Sequence, residues 1–306
     1  MQQQVSFKNN FILALSYALW GFFPLYWHQL EHIKAHEILF HRIIWSFLFF
    51  TVSYLVLFYR ANHSFHIKGK SKKSLNPFRE LGVKDILRLM LSSSLITANW
   101  FLYIYAVNSH QVLQGSLAYY LSPLLSILLG AFFYLEKITL LVKWAFAFCA
   151  LGVLLLLFQT NEIPFLSLAL ALTFSGYGFI KKRIKIHAIE SALIESSFLI
   201  VPCIYLAFFS PFQSVNSFSN LDWFYLVLGG IVTGVPIILF SYSAQKVPLT
   251  SIGFFQYISP TLQFLSAVLF LNEVLSPAKL TSFIFIWIGA GIYIFSLARR
   301  HSRMSN

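Results

Sequence analysis

Residues 115–136, GSLAYYLSPLLSILLGAFFYLE, and residues 252–273, IGFFQYISPTLQFLSAVLFLNE, lie on one another without a gap at an offset of 137. Apolar composition would supply Leu and Phe matches by itself, but not Pro123 on Pro260 or Glu136 on Glu273. The register continues over 115–158 against 252–295, with Tyr120 on Tyr257, Ser122 on Ser259, Phe133 on Phe270 and Gly152 on Gly289. The chain therefore reads as two copies of one membrane unit, a plan on which many transporters are built.

Composition names the solvent. Of 306 residues, 58% are hydrophobic and 10% charged, with a mean hydropathy of +0.72, which suits a bilayer and not a water-facing surface. The formal charge of +12 would suit nucleic acid, but Lys and Arg gather at the ends of apolar runs, and a basic patch needs a solvated domain to carry it. Lipid is the expected partner, and nucleic acid is not. Cys149 and Cys203 lie inside apolar runs, so they suggest neither a metal site nor a disulfide framework. The first apolar run holds Trp20, Pro24 and Trp27 and no small-residue cleavage site, so it is expected to be a retained span.

A helix needs about 20 mainly apolar residues to cross about 30 Å of hydrocarbon. Ten such runs fit, near 11–29, 37–58, 86–107, 111–134, 138–158, 164–181, 188–209, 222–244, 249–271 and 278–297. The expected fold is an all-α integral membrane protein of ten transmembrane helices in two five-helix repeats, 11–158 and 164–297. A basic cytoplasmic loop covers 59–85. With the N-terminus inside, all of the 22 Lys and Arg except Lys34, Lys279 and the intramembrane Arg42 fall on the cytoplasmic side. Both termini are thus expected in the cytoplasm. Five spans per unit is an odd number, so the second copy enters with the opposite sense and the repeat is inverted.

Ionisable groups within a span are costly unless they pair or face water. Glu37 and His41, four apart, share one face of span two, where His41 also brings proton coupling into view. Arg42 falls opposite Glu195 of span seven at an offset of 153, and is read as an anchor for an anionic substrate group or as half of a gating ion pair with Glu195. The competing reading has Glu37 and Arg42 pinning helix ends near the outer interface. His28, His32 and His36 recur every four residues, but where the chain must turn back, so a solvated cluster is expected in place of a metal site. Pro123 and Pro260 lie mid-span, where proline removes a hydrogen bond and bends the helix. Beside them stand Tyr119 and Tyr120 in one copy and Gln256 and Tyr257 in the other, whose polar tips need partners at lipid depth. Trp20, Asn99 and Trp100 add amphipathic groups on spans one and three. Gly229, Gly230, Gly234, Gly289 and Gly291 would permit close helix approach.

The runs Leu19-Trp20-Gly21 and Pro24-Leu25-Tyr26, Glu37-Ile38-Leu39 with His41-Arg42 and Trp45-Ser46, Asn99-Trp100 with Ala106-Val107-Asn108, and Gly253 to Ile258 followed by Pro260-Thr261 resemble the RarD-type permeases of the EamA group, in the drug/metabolite transporter superfamily. That resemblance spans about residues 8–300. It implies inverted five-helix repeats around a central cavity and alternating access in a bacterial inner membrane, for a group associated with chloramphenicol sensitivity. The stretch around Lys68 to Lys73 is longer than the resemblance leads one to expect.

The expected function is secondary transport of a small organic metabolite or drug-like molecule, bound among Trp20, Arg42, Asn99, Trp100, Tyr119, Tyr120, Glu195, Gln256 and Tyr257, with no cofactor. The alternative is an integral membrane enzyme acting on a lipid-like substrate, for which only the histidine cluster offers an interfacial constellation. A scaffold binding a soluble partner through 59–85 is a third. Cargo, direction, coupling ion and oligomeric state stay open at this point.

Overall fold

Backbone groups at lipid depth find no water to bond, so an apolar chain folds as helices that satisfy their own N–H and C=O groups. The computed structural model describes residues 7–68, 77–78, 81–108, 112–158, 165–210, 215–270 and 277–305. Among them are thirteen α-helices and no strand. The first half holds α1 (Phe7–Gly21), α2 (Phe23–Trp27), α3 (Ala35–Lys68), α4 (Val83–Asn108), α5 (Val112–Phe133) and α6 (Leu140–Leu157). The second holds α7 (Phe165–Lys181), α8 (Ala188–Ser197), α9 (Ile200–Phe208), α10 (Asn220–Ala244), α11 (Leu249–Gln256), α12 (Ile258–Phe270) and α13 (Pro277–Ser305).

The protein is an all-α, multi-pass membrane protein. By length and apolarity alone, five stretches among the described residues qualify as crossings, and a sixth if α8 and α9, bent by 54° to one another, form one span. The apolar runs of the sequence each hold one helix or a broken pair. Breaks fall at Phe22, at 198–199 and at Tyr257. Proline accounts for two of them: Pro24 opens α2, where its fixed φ suits a first turn, and Pro260 lacks the N–H that would reach the Gln256 carbonyl. By contrast α5 runs unbroken through Pro123. The loop read from residue 59 begins later, because α3 continues to Lys68. Most of the rest of that loop, with Glu273, Ser109 and His110, lies outside the described residues.

Two glycines fix the relation between the halves. A Cβ on Gly152 would lie 2.6 Å from the Ser282 carbonyl oxygen and 2.8 Å from Ile286 Cγ1; one on Gly289 would lie 2.6 Å from the Ala145 oxygen and 2.5 Å from Cys149 Sγ. Ala145, Cys149 and Gly152, each advanced by 137, are Ser282, Ile286 and Gly289. The same contact is therefore made twice, with the partners exchanged. Residue numbers rise along α6 as they fall along α13, so the two helices are antiparallel. A two-fold axis that exchanges antiparallel helices must lie across them, which is the geometry of an inverted pair. Two contacts join residues that are themselves 137 apart: the Cys149 thiol donates to the Ile286 carbonyl at 3.7 Å, and the Tyr257 hydroxyl donates to the Tyr120 carbonyl at 3.4 Å.

Close backbone approach recurs between α3 and α10. A Cβ on Gly230 would come within 2.6 Å of Trp45 Cβ, and one on Gly234 within 2.5 Å of Phe49 Cδ1, while the Ser46 hydroxyl donates to the Gly230 carbonyl at 3.2 Å. Lipid gives apolar surfaces little reason to leave it, so such packing and interhelical hydrogen bonds carry the association. Gly291 differs from Gly289 in meeting nothing within 4 Å. Gly152→Ala and Gly289→Ala should each lower stability by about 1–3 kcal/mol by forcing α6 and α13 apart, whereas Gly291→Ala should leave it within about 0.5 kcal/mol. Detergent-denaturant unfolding of the three variants measures this, and equal losses at 289 and 291 would refute the packing account.

Candidate functional site

A cavity of about 340 Å³ opens between the halves, with walls drawn from α1–α5 on one side and from α7, α8 and α10–α12 on the other. Among the described residues two charged side chains line it, Arg42 and Glu195. Arg42 projects from α3. Its Nε donates to Thr233 Oγ1 on α10 at 3.3 Å, and its guanidinium carbon lies 4.9 Å from the Trp27 ring centroid and 5.8 Å from those of Phe23 and Trp100. Stacking on aromatic faces offsets part of the desolvation of a cation, by about 2 kcal/mol or more per contact where water is excluded.

Glu195 does not meet Arg42, so the gating pair expected from the sequence is replaced by another. Its Oε1 lies 2.8 Å from Lys181 Nζ, and it accepts from the Ser191 hydroxyl at 3.3 Å. Lys181 is completely buried and donates to Ser191 Oγ at 2.6 Å, with its ammonium 5.5 Å from the Tyr177 ring centroid. The cause is local: six residues join the last residue of α7 to the start of α8, and Glu195 lies two turns into that helix. The sequence reading had counted Lys181 and Lys182 among the charges facing cytoplasmic water. Instead Lys182 is partly buried, 3.9 Å from Glu136, and donates to the Val247 carbonyl. Burial lowers its ammonium below the ordinary lysine range, and the Glu136 charge opposes that shift.

Trp20, Asn99, Trp100, Tyr119, Gln256 and Pro260 also line the cavity. Asn99 Nδ2 donates to the Leu170 carbonyl at 2.8 Å and to Thr173 Oγ1 at 3.0 Å, tying α4 to α7. Tyr119 lies 6.3 Å from Tyr103 between ring centroids. Gln256 is buried, and its Oε1 has no hydrogen-bond partner among the described residues.

Five candidates lie elsewhere. Glu37 and His41 are buried on another face of α3, the His41 ring edge-on to Phe208, Phe218 and Trp223 at 5.3–5.8 Å. Arg42, one residue on, is turned about 100° away. Tyr120 packs against Phe283 at 5.6 Å, Tyr257 is buried beside it, and the Pro123 carbonyl faces Gly253. Of the histidines, His28 pairs with Glu31 and His32 with Asp222, each at 2.9 Å, while His36 packs on Phe40.

Sequence reasoning missed Phe23, Trp27, Tyr103 and Gln263 on the cavity wall, and Lys181 behind it. The first four were within reach of helical spacing. Phe23 and Trp27 follow Trp20 by three and seven, Tyr103 follows Asn99 by four, and Gln263 follows Gln256 by seven, spacings that place each beside a residue already chosen if the runs are read as continuous helices, although the breaks at Phe22 and Tyr257 interrupt all but the Asn99–Tyr103 pair.

Glu136 has a distinct position. Its carboxylate accepts the backbone N–H groups of Leu249 at 2.6 Å and Thr250 at 2.9 Å, the first turn of α11, where the helix end is electropositive. Leu135 reaches φ 49°, a left-handed conformation that favours glycine, and the Glu136 N–H closes back on the Gly130 carbonyl at 3.3 Å. That turn delivers the carboxylate of one half to the helix end of the other.

The sequence matches the EamA-like transporter family over residues 8–158 and 163–295, and the chain belongs to that family. Similar proteins include an uncharacterized transporter, YojE, of Bacillus subtilis, 38% identical over 298 residues covering 97% of this chain and 96% of that one. Protein RarD of Salmonella typhi is 36% identical over 293 residues, covering 94% and 95%, and protein RarD of Escherichia coli 34% identical over 302 residues, covering 97% and 98%. A solved crystal structure with 17% identity shares the fold at a TM-score of 0.68, covering 93% of this chain and 96% of that chain. The protein is thus a membrane transporter or permease, in agreement with the relatives' names, which point away from an enzyme.

The buried ion pair gives a stability test. Glu195→Gln should cost about 3–5 kcal/mol, because it strands the Lys181 ammonium, and the double variant Glu195→Gln with Lys181→Met should recover most of that loss. Unfolding of these two variants and of Lys181→Met alone checks it; additive losses would show that the two side chains do not act as a pair.

Proposed function

We propose that this protein is a secondary transporter that carries a small organic molecule across a bacterial cytoplasmic membrane by alternating access. The observation that carries the reading is the cavity's shared ownership. Arg42, Asn99, Trp100 and Tyr119 come from the first half, and Glu195, Thr233, Gln256 and Pro260 from the second, so motion of one half against the other changes the site. The two family matches fall on the two halves, in support of five-helix repeats at 11–158 and 164–297. The exchanged contacts at Gly152 and Gly289 support their inverted relation.

The distribution of Lys and Arg supports a cytoplasmic location for both termini, although Lys181 and Lys182 no longer count as exposed loop charges. In that orientation Glu136 lies at the cytoplasmic end of α5. Its two hydrogen bonds to α11 then hold the halves together on that side, and opening there must break them. For proton coupling the sequence offers His41, while the cavity wall offers Glu195.

Reconstituted into liposomes with an imposed substrate or proton gradient, the protein should give saturable flux of a compound that binds the cavity. Binding without flux, or turnover of the compound in place of movement, would overturn the reading. Glu136→Ala removes two charge-assisted hydrogen bonds, each contributing about 1.5–3 kcal/mol, and should raise the population open to the cytoplasm by on the order of tenfold or more. The native cysteines are buried, so a Gln263→Cys reporter on the cavity wall can measure this. Its labelling from the cytoplasmic side should accelerate in the Glu136→Ala background, and an unchanged rate would exclude Glu136 as a clasp.

A further inference from the structure

The geometry points to a small carboxylate with an aromatic body, carrying a single negative charge, as the ligand of the cavity; the inference rests on the reading of that cavity as the transport site. Charge is the first argument. Among the described residues the lining holds one guanidinium, Arg42, and one carboxylate, Glu195, and the latter is already matched by the fully buried Lys181. Arg42, Glu195 and Lys181 together leave one positive charge, and it resides on Arg42. A cation at lipid depth calls for an anionic partner, and among the described residues the groups around this one are the Thr233 hydroxyl, the rings of Phe23, Trp27 and Trp100, and the neutral phenols Tyr103 and Tyr119.

Geometry narrows the class of anion. Among the described residues, the hydrogen-bond partner of the guanidinium is Thr233, which takes Nε and fixes the plane of the fork. The two terminal nitrogens are left to a ligand, and a planar guanidinium edge matches a carboxylate with two parallel bonds. One net positive charge neutralises one negative charge, so a phosphate monoester dianion would leave a surplus charge in the same apolar surroundings.

The walls define the body of the molecule. Phe23, Trp27 and Trp100 beside Arg42, with Trp20 and Phe174 elsewhere on the wall, present aromatic surface to the cavity, suited to a flat apolar group by offset or edge contacts. A volume of about 340 Å³ is near the lower end of small-molecule sites and favours a compact ligand.

The test is equilibrium binding to the purified protein in detergent, read by intrinsic tryptophan fluorescence and by thermal shift. The probes are benzoate and 3-phenylpropionate, their amides, benzylammonium, phenyl phosphate and acetate. At least one of the two aromatic carboxylates should bind ten times or more as tightly as its amide, benzylammonium, phenyl phosphate or acetate. Arg42→Gln should abolish the preference over the amide, and Arg42→Lys should keep part of it. If Arg42→Gln does not fold, Thr233→Val carries the test, since it removes only the bond that orients the fork: carboxylate affinity should fall while amide affinity stays. An amide that binds as well as its carboxylate, a preference that survives Arg42→Gln or is undiminished in Thr233→Val, or no binding of either carboxylate overturns the inference. Flux in liposomes separates it from the reading beneath it. Carboxylates that bind as expected but are not moved would sink the transporter and spare the ligand class. Saturable flux of neutral or cationic compounds that carboxylates do not inhibit would sink the ligand class and spare the transporter.

Discussion

The relation between the two halves is set by one approach of backbone to backbone, where α6 and α13 cross at Gly152 and Gly289. In lipid the drive to bury apolar side chains is weak, and helices associate where small residues let main chains come close. Because the glycine was duplicated with its surroundings, the contact is satisfied twice by one sequence, and only a two-fold axis across the helices allows that. The axis then dictates the remainder. It sets α5 against α11, where the Pro123 carbonyl meets Gly253, and it brings Tyr119 and Gln256, 137 apart in sequence, to the walls of one cavity.

Charge follows a different rule. A buried ion is tolerated when a partner of opposite sign and further hydrogen bonds accompany it, and Lys181, Ser191 and Glu195 form such a group within the second half. Among the described residues no carboxylate accompanies Arg42, whose surroundings are aromatic rings, the Thr233 hydroxyl and the phenols Tyr103 and Tyr119. The two halves thus share a backbone plan and divide the electrostatics: one carries a self-neutralised pair, the other a cation that faces the cavity.

The sequence carried the duplication, its offset, the membrane solvent and eight of the candidates that the cavity brings together, Arg42, Asn99, Trp100 and Gln256 among them. These were legible because period, hydropathy and an out-of-place polar residue are local properties. The pairing of Glu195 was not legible. Choosing between Arg42 and Lys181 depends on how far each helix is rotated about its axis, and a hydropathy profile does not encode rotation. Lys181 misled because a lysine at the end of an apolar run normally marks the membrane surface. His41 misled for a related cause: it is four residues from Glu37 as expected, but that face of α3 turns toward Phe208, Phe218 and Trp223 and not toward the cavity.

The duplicated prolines show how symmetry and specificity coexist. Proline at 123 lacks the N–H that would reach the Tyr119 carbonyl, and proline at 260 lacks the one that would reach Gln256. Both deprived carbonyls therefore belong to residues on the cavity wall. The consequences then diverge. On the first copy the helix continues unbroken, while on the second it parts at Tyr257 into α11 and α12. The side chains diverge as well, a phenol at 119 and an amide at 256. Duplication supplied the backbone chemistry equally to both halves, and substitution of side chains above it made the two walls of the cavity unlike.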